Sequence, residues 1–182
     1  MKIQKITQLL VGCIVAGLVS CSTPANKEQN DATAKNKEAM LKVNEAFSTG
    51  NLAGLENYVA ENMIEHQPDP MIKAAGLAGL KEAITTYRAA FPDMKITSVN
   101  MVAEGDLVIS HINMKGTNTG PMGDMPATNK TMDVNGVDIV RFENGKGVEH
   151  WGYWEEMKMM TQLGLMPPPG GMPADSTKMA GH

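Results

Sequence analysis

Residues 136–156 read GVDIVRFENGKGVEHWGYWEE, and the fold turns on how these residues alternate. Two runs of β-branched and aromatic residues flank Glu143-Asn144-Gly145-Lys146-Gly147. Asn-Gly between alternating segments predicts a tight hairpin, because these residues tolerate positive φ. Side chains alternate along a strand, so Met132, Val134, Asp138, Val140 and Phe142 share one face. Asp138 therefore places a carboxylate in the middle of an apolar face. Either that face lines a site that needs an acid, or Asp138 pairs with Arg141 or a neighbouring strand, or a bulge turns it outward.

Upstream, MKITSVNMVAEGDLVISHINMKG predicts two further strands joined at Glu104-Gly105-Asp106. Before them the period changes to that of a helix. Met40, Val43 and Phe47 fall on one stripe, with Gly50 placed to end it. Asn51 is a candidate cap for a second short helix carrying Leu52, Leu55 and Val59. After an extended piece, MIEHQP, a third helix shows Leu77, Leu80, Ile84 and Tyr87 on one stripe and stops before Pro92. A last short helix, EEMKMMTQL, closes at Gly164. Helices first and an antiparallel sheet second make an α+β pattern, with one sheet face packed on the helices and the strands curling around a pocket.

The ends of the chain point to the cell envelope. Lys2 and Lys5 precede an apolar segment, Ile6 to Ser20, of signal-peptide length and shorter than the roughly 20 residues of a spanning helix. Leu18-Val19-Ser20-Cys21 resembles a bacterial lipobox, in which the cysteine is lipidated and becomes the new N-terminus. Residues 1–20 are thus read as a lipoprotein signal peptide, Cys21 as the lipidation site and 21–34 as a polar tether. The domain follows over 35–166, and a Pro/Gly-rich tail, expected to be disordered, over 167–182. Ser22, rather than Asp, after the cysteine favours the outer membrane. Cleavage would remove Cys13 and two lysines, shifting the formal net charge from −4 to −6 and leaving no free thiol for a disulfide or zinc site. An acidic chain without a basic stripe does not suit nucleic acid.

Four stretches carry a family resemblance. They are Glu65-His66-Gln67-Pro68; Ala90-Phe91-Pro92-Asp93; Ala103-Glu104-Gly105-Asp106 with Gly116-Thr117-Asn118-Thr119-Gly120; and Val137 to Phe142 through Gly145-Lys146 to Glu149-His150-Trp151. Their order resembles the SnoaL-like polyketide cyclases, or ester cyclases, of the NTF2-like (cystatin-like) superfamily. The resemblance implies a cone in which N-terminal helices pack on a curved antiparallel sheet around a pocket. It implies cofactor-independent acid/base chemistry, of aldol-cyclisation or isomerisation type, on a small hydrophobic molecule bearing a carbonyl. Asp138 would be the acid/base; burial disfavours a charged carboxyl and can raise its pKa toward neutrality. The alternative is a non-catalytic module of the same fold that binds a hydrophobic ligand or a protein. A homodimer is implied by resemblance alone.

His66, His111 and His150 come from three parts of the chain and are the candidates to orient or polarise substrate beside Asp138. Taken alone, each reads better as an exposed or structurally hydrogen-bonded histidine. The three with Asp138 could also bind a metal, but no H-x-x-x-H or C-x-x-C spacing is present, so no metal is expected; that no organic cofactor takes part is implied by the resemblance. Trp151 and Trp154, with Tyr87, Asn118 and Met157, are the candidate pocket walls. Asn118 replaces the histidine that relatives often carry within Gly-Thr-His-Thr-Gly. The many methionines, among them Met157, Met159 and Met160, fit a plastic lid or core, although thioethers can also hold Cu(I).

Overall fold

The computed structural model describes residues 24–167. The signal segment, Cys21 and all of the tail but Pro167 lie outside the described residues. Helix α1 (Pro24–Thr49) is followed by a single 3-10 turn (Leu55–Asn57), strand β1 (Val59–Glu65) and helix α2 (Gly76–Ala90). Four strands then run in succession: β2 (Lys95–Glu104), β3 (Leu107–Thr117), β4 (Thr131–Glu143) and β5 (Lys146–Trp154). Helix α3 (Glu156–Gln162) ends the domain.

The strands form one five-stranded sheet in the order β1-β5-β4-β3-β2. The hairpin of residues 136–156 is its centre. Asn144 and Gly145 form the two-residue connection at φ 51° and 77°, the doubly positive geometry that Asn-Gly supplies without strain. β2, β3, β4 and β5 pair antiparallel, while β1 joins the far edge parallel to β5. The sheet is therefore mixed and not purely antiparallel. The expected second helix shrinks to the 3-10 turn, and Val59, assigned to that helix, opens β1. Its β-branched side chain suits a strand edge, and the pairing with β5 prevails over a weak local stripe. The tether also requires correction, because α1 reaches back to Pro24. Lys, Glu, Gln and Ala dominate this stretch and extend a helix once packing downstream has nucleated it.

One face of the sheet is concave and covered by α1 and α2; the other is open. Two apolar clusters fill the covered side. Toward the hairpin, Val108 and Phe142 pack on Ala39 and Met40 of α1. Toward the opposite end, Phe91, Met94, Met114, Met122, Met132, Val134 and Leu163 pack together. Most of the methionine excess that is described resides in this second cluster, as core filler. Ile84, Leu55 and Ala46 join α2 to α1. Between the two sheet clusters the inner face is polar, and Asp138 lies there.

Candidate active site

Strand alternation holds through β4, and Asp138 is buried on the inner face with Met132, Val134 and Phe142. Of the expected alternatives, pairing with Arg141 and an outward bulge do not arise, whereas pairing with a neighbouring strand does. Arg141 points to the opposite face and binds Glu149 and Glu143. The bulge in the β4–β5 ladder lies between Arg141 and Phe142, beyond Asp138. The partner of Asp138 is His150, whose Nε2 stands 3.3 Å from Asp138 Oδ1. His150 Nδ1 is 2.5 Å from Glu65 Oε2. Glu65 arrives by the parallel pairing of β1, in register with His150. The imidazole is thus clamped between two carboxylates. Burial alone would lower its pKa, but the hydrogen bonds and charges of Asp138 and Glu65 overcome that and push it up to about 9. At neutral pH His150 is an imidazolium beside the Asp138 carboxylate.

Ser110 is the register partner of Asp138 on β3, and its Oγ lies 2.7 Å from Ser98 Oγ on β2. On the other side Asp138 faces Gly152. A methyl group at Gly152 would lie 3.0 Å from His150 Cε1 and 3.1 Å from Trp154 Cζ2, so both rings close over this glycine. Trp154 also lies over Gly136, where a methyl would stand 2.7 Å from Trp154 Cε3 and 2.9 Å from the Tyr153 carbonyl oxygen. Replacing Gly136 with Ala should therefore displace Trp154 and destabilise the protein by about 1–3 kcal/mol. Urea denaturation checks this, and an unchanged midpoint would show that Trp154 does not occupy the space over Gly136.

The other sequence candidates do not converge on Asp138. His66 and His111 lie on the open face. His66 binds Glu149 at 2.7 Å and stacks on Trp151, with ring centroids 4.3 Å apart. Together with Arg141 it holds the Glu149 carboxyl below the ordinary carboxylate range. His111 is the register partner of Val137, one residue out of phase with the Ser110–Asp138 pair. Trp151 belongs to the open face with His66, whereas Trp154 shares the face of Asp138 and lies over Gly136 and Gly152. The Tyr87 hydroxyl donates to Asp69 Oδ2 at 2.5 Å, tying α2 to the loop before it. Asn118 is fully buried and spends its amide on the Ala90 and Gly120 carbonyls and the Thr128 N–H, so it ties a loop and is no pocket wall. Met157 is exposed on α3. Glu65, Ser98 and Ser110 were not among the sequence candidates.

Among the described residues no group of three or more His, Cys, Asp or Glu side chains is arranged to hold a metal ion. Both nitrogens of His150 are engaged by carboxylates. Two open clefts, of about 490 and 470 Å³, lie away from Asp138: one around Lys95 and Lys115, the other around Glu61 and Lys81. The site reaches solvent instead at the β1–β5 edge, where the Glu65 and His150 side chains keep 32% and 23% of their surface.

The model of the SnoaL-like polyketide cyclases matches residues 37–163. No curated protein matches the chain. Among solved structures, TsrD from Streptomyces laurentii is 24% identical with a TM-score of 0.67, covering 73% of this chain and 97% of its own. IdmH from Streptomyces antibioticus, a candidate polyketide cyclase, is 26% identical with a TM-score of 0.63, covering 71% and 98%. A candidate polyketide cyclase from Bacillus cereus is 25% identical with a TM-score of 0.61, covering 72% and 82%.

Proposed function

This chain belongs to the SnoaL-like polyketide cyclases, and from that premise we propose that its concave face performs cofactor-independent acid/base chemistry on a small carbonyl compound. The reaction is of aldol-cyclisation or isomerisation type. The observation that carries this reading is the buried Asp138 carboxylate held against the imidazolium of His150. In the proposed step, Asp138 takes a proton from a carbon next to the carbonyl. The C–H electron pair becomes the C=C bond of an enolate, and the carbonyl pair moves to oxygen. The enolate carbon then attacks a second carbonyl, or the Asp138 carboxyl returns the proton elsewhere. The His150 imidazolium offsets the negative charge that the enolate adds. Glu65 orients the ring from behind. The test is deuterium wash-in at the α-carbon of ethyl benzoylacetate, followed by NMR in D₂O. Exchange above the buffer rate supports the reading, and exchange at the buffer rate contradicts it.

The cellular setting is part of the same proposal. Cys21 is lipidated after removal of residues 1–20 and anchors the domain to the envelope, most simply to the outer membrane. Two or more acyl chains are needed for a stable anchor. Replacing Cys21 with Ser should move the protein from the membrane pellet to the soluble fraction; continued pelleting would contradict lipidation.

The open face favours a second use of the sheet. Val102, Ile109, Ile139 and Trp151 stand in one register row across four strands, and Val102 and Ile109 are exposed. Ile64 and Tyr153 add exposed apolar surface nearby. This band suits a second copy of the chain, with the sheets face to face. Sedimentation velocity should give a dimer mass, and a monomer mass at micromolar concentration would rule the pairing out.

A further inference from the structure

Helix α1 turns two asparagines toward the sheet, Asn36 and Asn44, at 6% and 7% exposure. Asn44 differs from the other buried polar residues: its Nδ2 is buried and has no hydrogen-bond partner among the described residues. A buried donor left unsatisfied costs stability, and native proteins seldom retain one without a reason.

Its position suggests the reason. Four residues on, Ser48 Oγ accepts the Ile96 N–H at 3.0 Å. Four residues back, Met40 packs in the cluster of Val108 and Phe142, with Met101 alongside. Helix α1 therefore runs antiparallel to β2, and Asn44 falls at the level of Ser98, between Ile96 and Met101. Ser98 joins Ser110, and Ser110 stands opposite Asp138. A polar band thus crosses the interior from Asn44 through the two serines to Asp138, His150 and Glu65, with apolar clusters on either side.

We infer that Asn44 is a substrate-binding residue of this site: its amide donates to the carbonyl oxygen of a neutral ketone or ester and holds the enolate oxygen that forms there. The inference rests on the acid/base reading given above. A donor without a protein partner selects an acceptor. As the α-proton leaves for Asp138, electron density moves onto the carbonyl oxygen, so this hydrogen bond is stronger in the transition state than in the ground state. Two carboxylates against one imidazolium leave the face net negative, which suits a neutral substrate better than an anion.

The test uses ethyl benzoylacetate as probe. In the wild-type protein, the Asn44 side-chain amide resonances, assigned by their absence in Asn44→Leu, should shift on titration with the probe. They should shift in Asp138→Asn as well, since binding does not need the base. Asn44→Leu should unfold at a higher urea midpoint, because the orphaned donor is gone, yet exchange the α-proton about a hundredfold more slowly. Asn44→Ala, smaller and easily accommodated, should lose exchange to a similar extent. Unmoved Asn44 resonances, or exchange within about twofold of wild type in both variants, would overturn the inference. The two failures are distinguishable. Exchange present with Asn44 silent removes Asn44 alone, whereas shifted Asn44 resonances without wild-type exchange remove the acid/base step and leave the binding role.

Discussion

Asp138→Asn should slow α-proton exchange by about 10²- to 10⁴-fold, the usual range for losing a positioned general base. The substitution keeps the shape of the side chain and its place opposite Ser110 and Gly152. It removes only the charge that accepts the proton. The fold should survive, as a retained urea transition would show. His66→Ala and His111→Ala should exchange within about twofold of wild type, because both side chains lie on the other face of the sheet and act as surface positions. If Asp138→Asn kept full exchange, or if His66 or His111 proved essential, the concave face would not be the site.

The second large effect concerns pH and stability. His150 titrates at about 9 in the folded protein against an ordinary 6.5. A raised histidine pKa contributes stability that is complete below 6.5 and is lost as pH rises through 9, since the unfolded chain then binds fewer protons than the folded one. The loss between those limits is on the order of 3 kcal/mol. Urea unfolding at intervals from pH 6 to 9.5 should show this decline. His150→Gln should be less stable at pH 6 and nearly flat across the same interval. A wild-type profile as flat as the variant's would mean that Glu65 and Asp138 do not hold the imidazolium.

Much of this site is legible in the sequence, and the residues that are not share a physical cause. Alternation over Met132 to Phe142 placed Asp138 inward, and the Asn-Gly turn set the register of β4 against β5; both are local signals. Alternation along β5 likewise sets His150 and Trp154 on one face. Glu65 was not found because β1 pairs parallel to a strand more than 80 residues away, and no turn joins the two. His111 is a candidate only as one of three histidines from separate parts of the chain, and the pattern of β3 does not correct this, because Ile109 on one face and Ile112 on the other are both apolar. Ser110 carries the signal that would have decided it: a polar residue in phase with Val108, Ile112 and Met114, as Asp138 is in phase with Val134 and Phe142. Asn44 was overlooked for the same reason on a helix, since it sits among Met40, Val43 and Phe47 and was passed over for the apolar stripe. Asn118, by contrast, occupies a position suggested by family likeness, yet its side-chain hydrogen bonds all go to backbone groups, at the end of α2 and in the adjoining loop.

The acid/base reading depends on a charged imidazole locked between Glu65 and Asp138, and NMR titration of the His150 ring measures that state directly. With the signal assigned through His150→Gln, the account predicts a pKa near 9, falling toward the ordinary value in Asp138→Asn and in Glu65→Gln. A wild-type value near 6.5, unmoved by either substitution, would contradict it.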